Sequence, residues 1–126
     1  MSIRGLRGAI TIPADQPEHI HAATRELLVS ILQENPSLKV QDVASIFFTV
    51  TADIRSAYPA TAARESGWGS TPLICATEIP VPGSLPLCIR LLLHWNSEIP
   101  QADVKHVYLR EATSLRPDLV NPGENP

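Results

Sequence analysis

Several side chains in this 126-residue chain are suited to holding a small anion. Arg7, Arg64, Arg90 and Arg116 are permanently charged donors, and Tyr108 is a neutral one. Glu78 and Cys75 add an acceptor and a thiol. Of the ten basic residues eight are Arg, and only Lys39 and Lys105 are Lys. A solvated face can use either residue, so the bias points to work that needs a planar fork of donors. Arg90 is the most informative of the set. It interrupts the otherwise apolar run Leu87 to Leu93, where a charge is costly unless it is paired, and Glu78 or Glu98 could pair it. Arg7 shares a strand face with Gly5 and Ala9, which leaves room for a ligand to approach.

The chemistry these residues do not offer is as telling. The chain has no Gly-x-Gly-x-x-Gly, no phosphate loop, no Gly-x-Ser-x-Gly and no His-Glu-x-x-His. His19 and His21 are two apart on a helix and cannot share a ligand face. The serine, cysteine and lysine side chains lack a recognisable local partner for nucleophilic work. Cys75 and Cys88 have no metal-ligand spacing, so no metal is expected. Two cysteines without a secretory pattern lead to the expectation of a reduced, cytoplasmic protein. A net charge of −3, with the basic residues scattered, argues against a nucleic-acid backbone as partner. No apolar run approaches the roughly 20 residues of a membrane span.

The elements that must position these residues can be read from periodicity. Ile3 to Ile12 reads as a strand with Leu6, Ile10 and Ile12 on one face. Asp15 followed by Glu18 looks like a capping box, with Pro17 in the first turn. Ile20, Ala23, Leu27, Leu28, Ile31 and Leu32 then recur at helical spacing up to Glu34, and Asn35-Pro36 stops the helix. Asp42-Val43 can add a helical turn. Ala44 to Thr51 is β-branched and aromatic, which predicts a buried strand. Pro59 to Glu65 predicts a short helix ended by Gly67 and Gly69. Leu73 to Ala76 predicts a third strand, and the prolines at 80, 82 and 86 a stiff connection. Ile89 to Trp95 predicts a fourth strand, with Ile89, Leu91, Leu93 and Trp95 inward and Cys88, Arg90, Leu92 and His94 on the other face. Pro100 to Asp103 reads as a turn and His106 to Leu109 as a fifth strand. The result is an α+β domain over residues 1–119, with a mixed sheet of about five strands, one long helix and several short ones. Residues 120–126 read as a flexible tail. The apolar strand faces exceed what one long helix can cover, which predicts a subunit interface.

Taken in order, Arg4-Gly-Leu-Arg-Gly-Ala-Ile-Thr11, Cys75-Ala-Thr-Glu78, Ile79-Pro-Val-Pro-Gly-Ser-Leu85, Cys88-Ile-Arg90, His106-Val-Tyr-Leu109 and Leu115-Arg-Pro-Asp-Leu119 follow a known pattern. From Ile3 to Leu119 the chain resembles the monofunctional, trimeric, barrel-type chorismate mutases of the Bacillus type. The resemblance implies a homotrimer with a barrel-like β core, helices outside, and an active site at each subunit interface. It also implies an isomerase that needs no cofactor and converts chorismate to prephenate, on the route to phenylalanine and tyrosine. That reaction is an intramolecular Claisen rearrangement, which requires neither a nucleophile nor a proton transfer.

By the same resemblance, Arg90 points at the breaking ether oxygen and a carboxylate, and Arg7 and Tyr108 bind the side-chain carboxylate. Glu78 and Cys75 face the ring and its hydroxyl. The backbone of Ile74, Cys75, Ala76 and Thr77 runs beside the ligand. Arg64, Leu115 and Arg116 line or close the mouth. Tyr58, Ala60 and Thr61 form a wall expected from the neighbouring subunit, and Thr61 stands where relatives can carry Lys. Cys75 and Glu78 are three apart, so bringing them together requires a bend near Ala76-Thr77. Two other readings stay open: a non-catalytic trimeric module that binds a small dicarboxylate, and a trimeric enamine or imine deaminase of similar build.

Overall fold

The computed structural model describes residues 2–115. Arg116, the rest of the last matched motif and the 120–126 segment lie outside the described residues. Five strands are present: β1 (Ile3–Thr11), β2 (Val43–Val50), β3 (Leu73–Thr77), β4 (Cys88–Asn96) and β5 (Val107–Leu109). They form one sheet in the order β3-β2-β4-β1-β5. β4 runs antiparallel to both of its neighbours, while β2 pairs in parallel with β3 and β1 in parallel with β5. The helices α1 (Pro17–Glu34) and α2 (Pro59–Ala63) supply the crossovers that parallel strands require.

Both helices pack on the same side of the sheet. Ile20, Ala23, Leu27, Leu28 and Ile31 of α1 are buried against Leu6 and Ile10 of β1 and against Ile89, Leu91 and Leu93 of β4. The approach is closest at Gly8. A β-carbon there would lie 3.2–3.3 Å from Ile31, Leu27 and Leu91 side-chain atoms, so glycine lets the helix settle on the strand. Phe48, Trp68 and Trp95 complete the core. Trp68 ends the turn after α2, where Gly67 takes φ +99°, a conformation strained for any residue with a side chain. A bulge between Val43 and Ser45 returns Val43 to the core face opposite Trp95, while Ser45 stays on the other face beside His94.

Three sequence expectations change. The Asp15–Glu18 capping box is absent: helix α1 starts at Pro17 without a side-chain cap. Asp15 Oδ1 instead accepts hydrogen bonds from Arg55 N, Ser56 N and Ser56 Oγ at 2.8–3.1 Å, tying the loop before Tyr58 to the start of α1. Strand β2 is buried on one face only, because β2 alternates; Ile46 and Phe48 point to the helices while Phe47 is 46% exposed. Arg90 is likewise not enclosed. It belongs to the outer face of β4, and its side chain is 46% exposed.

That outer face, opposite the helices, is divided. At one end Ala9, Cys88 and Ala112 are fully buried under Leu85, Tyr108 and Leu115, because the chain folds back as a 3-10 turn over Arg110–Ser114. At the other end a row of direct neighbours runs from Ile74 (54% exposed) through Phe47 to Leu92 (40% exposed) and Arg7. This row leaves aliphatic and aromatic surface in contact with water, as an interface does.

Candidate active site

The pairing register collects the predicted residues into rows. Ala76 pairs with Thr49, Thr49 with Arg90, Arg90 with Ala9, and Ala9 with Tyr108. This single row crosses all five strands on the outer face, with Arg90 at its centre. The next row brings Arg7 opposite Leu92. Arg7, Arg90, Tyr108 and Leu115 line one cavity of about 140 Å³, floored by Gly8 and Ala9. The small side chain of Ala9, on the same face as Arg7, leaves that space, as the alternation around Arg7 predicted.

Glu78 follows the end of β3. Its amide donates to Val50 O (2.8 Å), which continues the β2–β3 ladder by one residue. Its carboxylate turns to the outer face, where Thr49 Oγ1 donates to Oε2 and the Arg90 Nε lies 3.9 Å from the same oxygen. The anticipated Arg90–Glu78 pair is therefore present. Glu98 is engaged elsewhere, accepting from Ser2.

Cys75 is where the expectation of a bend fails. Strand β3 stays in register with β2 through Cys75, Ala76 and Thr77. Cys75 thus points to the helix side, the opposite face from Glu78 and Arg90. Burial pushes its thiol above the ordinary range, more than the Ala60 backbone and the Arg64 charge pull it down. Cys75, Ala76 and Thr77 line a second cavity of about 320 Å³ with Tyr58, Pro59 and the 54–57 loop. Tyr58 is largely exposed, whereas Ala60 is buried in the core of its own chain. Arg64 Nη2 lies 3.4 Å from Thr61 Oγ1 on the exposed side of α2. Within one chain, then, the candidate residues form two groups. Arg7, Glu78, Arg90, Tyr108 and Leu115 gather on the outer face; Tyr58, Thr61, Arg64 and Cys75 gather around α2 and the helix side of β3.

A model of the family described as chorismate mutase type I matches residues 3–119. The chain belongs to the type I chorismate mutases. Chorismate mutase AroH of Thermus thermophilus is 56% identical over 117 residues, covering 93% of this chain and 96% of that protein. Chorismate mutase AroH of Bacillus subtilis is 42% identical over 120 residues, covering 94% of each. The solved chorismate mutase from Clostridium thermocellum superposes with a TM-score of 0.84 at 45% identity, covering 87% of this chain and 97% of that one. The mixed five-stranded sheet with helices on one side is therefore a chorismate mutase fold, as the sequence predicted.

Three contacts at this candidate site escaped sequence reasoning. Thr49 holds Glu78, and Ala9 faces Arg90 across the ladder. His106 Nδ1 accepts the Arg7 backbone N–H at 2.9 Å. Strand alternation places Thr49 and Ala9 on a face, but only the order of strands brings them to Arg90. The four arginines without a predicted role are partly explained by structure. Arg4 donates to Ile99 O, Arg55 to Ala52 O, and Arg110 to Thr11 O while pairing with Glu26 at 2.8 Å. Arg25 lies exposed on α1. None of the helices among the described residues is long and apolar enough to cross a membrane.

Proposed function

We propose that this type I chorismate mutase rearranges chorismate to prephenate at sites shared between the subunits of a homotrimer. The observation that carries this reading is Arg90, at the centre of a row crossing five strands, with Arg7 and Tyr108 beside it and Glu78 3.9 Å away. Chorismate carries two carboxylates, which suit arginines in an otherwise acidic chain. In the rearrangement the ether C–O bond breaks as a C–C bond forms, electrons move within one molecule, and no proton is exchanged. The protein has to hold the compact conformer and stabilise the charge that develops.

Arg90 serves both needs. Its fork donates to the ether oxygen as negative charge builds there and to a carboxylate at the same time. Such a pre-organised donor contributes roughly 3–4 kcal/mol. A modest enzymatic acceleration requires about 8 kcal/mol, so conformer selection and the remaining donors supply the rest. Arg7 and Tyr108 hold the side-chain carboxylate. Glu78, fixed by Thr49, faces the ring and its hydroxyl.

Two features support sharing of the site. The cavity of about 140 Å³ around Arg90 is smaller than the ~300 Å³ at which small-molecule sites begin, so it needs a further wall. Tyr58, Thr61, Arg64 and Cys75 stand on the other face of β3 and, with the backbone of this edge strand from Ile74 to Thr77, can supply that wall to a neighbouring subunit. Ala60 contributes from behind, through its backbone contact with the Cys75 thiol. The exposed row Ile74, Phe47, Leu92 is the surface on which subunits meet. Leu115 closes the cavity beside Tyr108. Loss of chorismate, followed by ultraviolet absorbance with purified protein at neutral pH, tests the activity. No loss at high enzyme concentration would end the reading.

A further inference from the structure

Strand β5 is only three residues long and pairs with Gly8, Ala9 and Ile10 of β1. The β1 edge from Gly5 to Arg7 therefore extends past the end of its partner. Side chains take over there. Gln101 Oε1 accepts Gly5 N–H at 2.9 Å and its Nε2 donates to Gly5 O at 2.7 Å, as a paired strand would. His106 precedes β5 by one residue, in the position that extends the ladder opposite Arg7. It meets the Arg7 amide with its ring and not its backbone: Nδ1 accepts Arg7 N–H at 2.9 Å. That bond requires Nδ1 to be unprotonated, with any ring proton on Nε2.

We infer that His106 is a positioning residue for the site, fixing the Arg7 backbone so that the guanidinium reaches the substrate carboxylate from a set direction. The inference rests on the role proposed for Arg7. The physical case is that β4 holds one edge of β1 along its whole length, but Arg7 lies just past the parallel pairing on the other edge, where the His106 ring holds its amide, while a long flexible side chain magnifies any backbone displacement at its tip. Misplacing a binding group by about 1 Å can cost up to ~100-fold. His106 also comes two residues before Tyr108, so one segment sets both proposed carboxylate donors.

The test compares His106→Asn with His106→Gln. Asn carries a carbonyl oxygen close to where Nδ1 stands, whereas Gln carries it one bond further out, nearer the place of Nε2. Both are polar and similar in size, so neither is expected to prevent folding. KM and kcat for chorismate are measured alongside melting temperature. The expected result is a KM within about threefold of wild type for H106N and raised about tenfold or more for H106Q, with kcat changed less than KM. Equal KM values for the two variants, whether both normal or both raised, would overturn the inference, even if either melts earlier. A wild-type protein that consumes no chorismate would instead remove the functional reading on which it rests.

Discussion

Thr49 and Arg90 are direct partners across the β2–β4 ladder, and both address the same oxygen of Glu78. A neutral donor and a cation thus fix one carboxylate at the centre of the sheet, on a face the chain itself leaves open. In the proposed mechanism, the anion that Arg90 meets must share it with Glu78. Arg90 thus lies beside a fixed carboxylate while its side chain, 46% exposed, lines the outer-face cavity.

Arg90→Ala should lower kcat by at least about 10²-fold. The side chain is 46% exposed, so the fold should be retained. Steady-state kinetics together with circular dichroism checks both halves; near-normal turnover would remove Arg90 from its assigned role.

The rate should be nearly independent of pH around neutrality, because no group has to give or take a proton in the chemical step. A kcat profile from about pH 6 to pH 8.5 is expected to be flat. A bell centred in that range would mean acid–base chemistry and would contradict the mechanism.

Phe47→Asp should dissociate the proposed trimer. Phe47 is in the middle of the exposed apolar row, packed edge-on against His94 at 6.1 Å, and a carboxylate there would be buried unpaired in an interface. Sedimentation velocity should show a folded monomer with activity largely lost, since the proposed sites are shared. A fully active trimer would mean that subunits meet elsewhere.

Cys75 should behave as a sluggish nucleophile. Burial holds its thiol above the ordinary value, so little thiolate exists at neutral pH. Alkylation by iodoacetamide, read by mass spectrometry on native protein, should be slow at pH 7 and still climbing at about pH 9. A rate that levels off near pH 7 would show a thiolate stabilised there. Cys88 is buried and raised for the same reason, and should label later still.

Asp15 should contribute an acid-sensitive brace. The Ser56 hydroxyl first, and then the Arg55 amide, hold its carboxyl below the usual value. A depressed folded-state value contributes stability above the unfolded pKa, and that contribution is lost as pH falls through the folded one. Asp15→Ala should therefore unfold at lower urea than wild type at pH 7, with the gap closing below about pH 4. A gap that is constant down to pH 2 would mean the carboxylate charge is not involved.

How much of this was legible in the sequence depended on the range of the interaction. Strand β4 was readable because alternation is local: Ile89, Leu91, Leu93 and Trp95 are buried and Arg90 is on the other side, as spacing alone requires. Helix α1 was readable for the same reason, to its last residue Glu34. The capping box failed because Asp15 had a better offer from residues forty positions away, a competition no local pattern displays. Phe47 looked like core because an apolar residue on an exposed strand face carries the same signature as one bound for the interior. The bend assumed between Cys75 and Glu78 came from expecting both side chains of one strand to face the same ligand. Once two faces of β3 can serve different sites, a regular strand suffices. Gln101 and His106 left no mark, since their partners at Gly5 and Arg7 are almost the whole chain away.

The substitution of side chains for a missing strand along β1 has a second consequence, for solubility during synthesis and storage. An unpaired stretch of backbone beside a three-residue terminal strand is a template onto which a stray extended segment can add, and such additions propagate into insoluble assemblies. With both Gly5 groups occupied by one glutamine and the Arg7 amide by a histidine, an incoming strand finds neither Gly5 group nor the Arg7 N–H free to begin from.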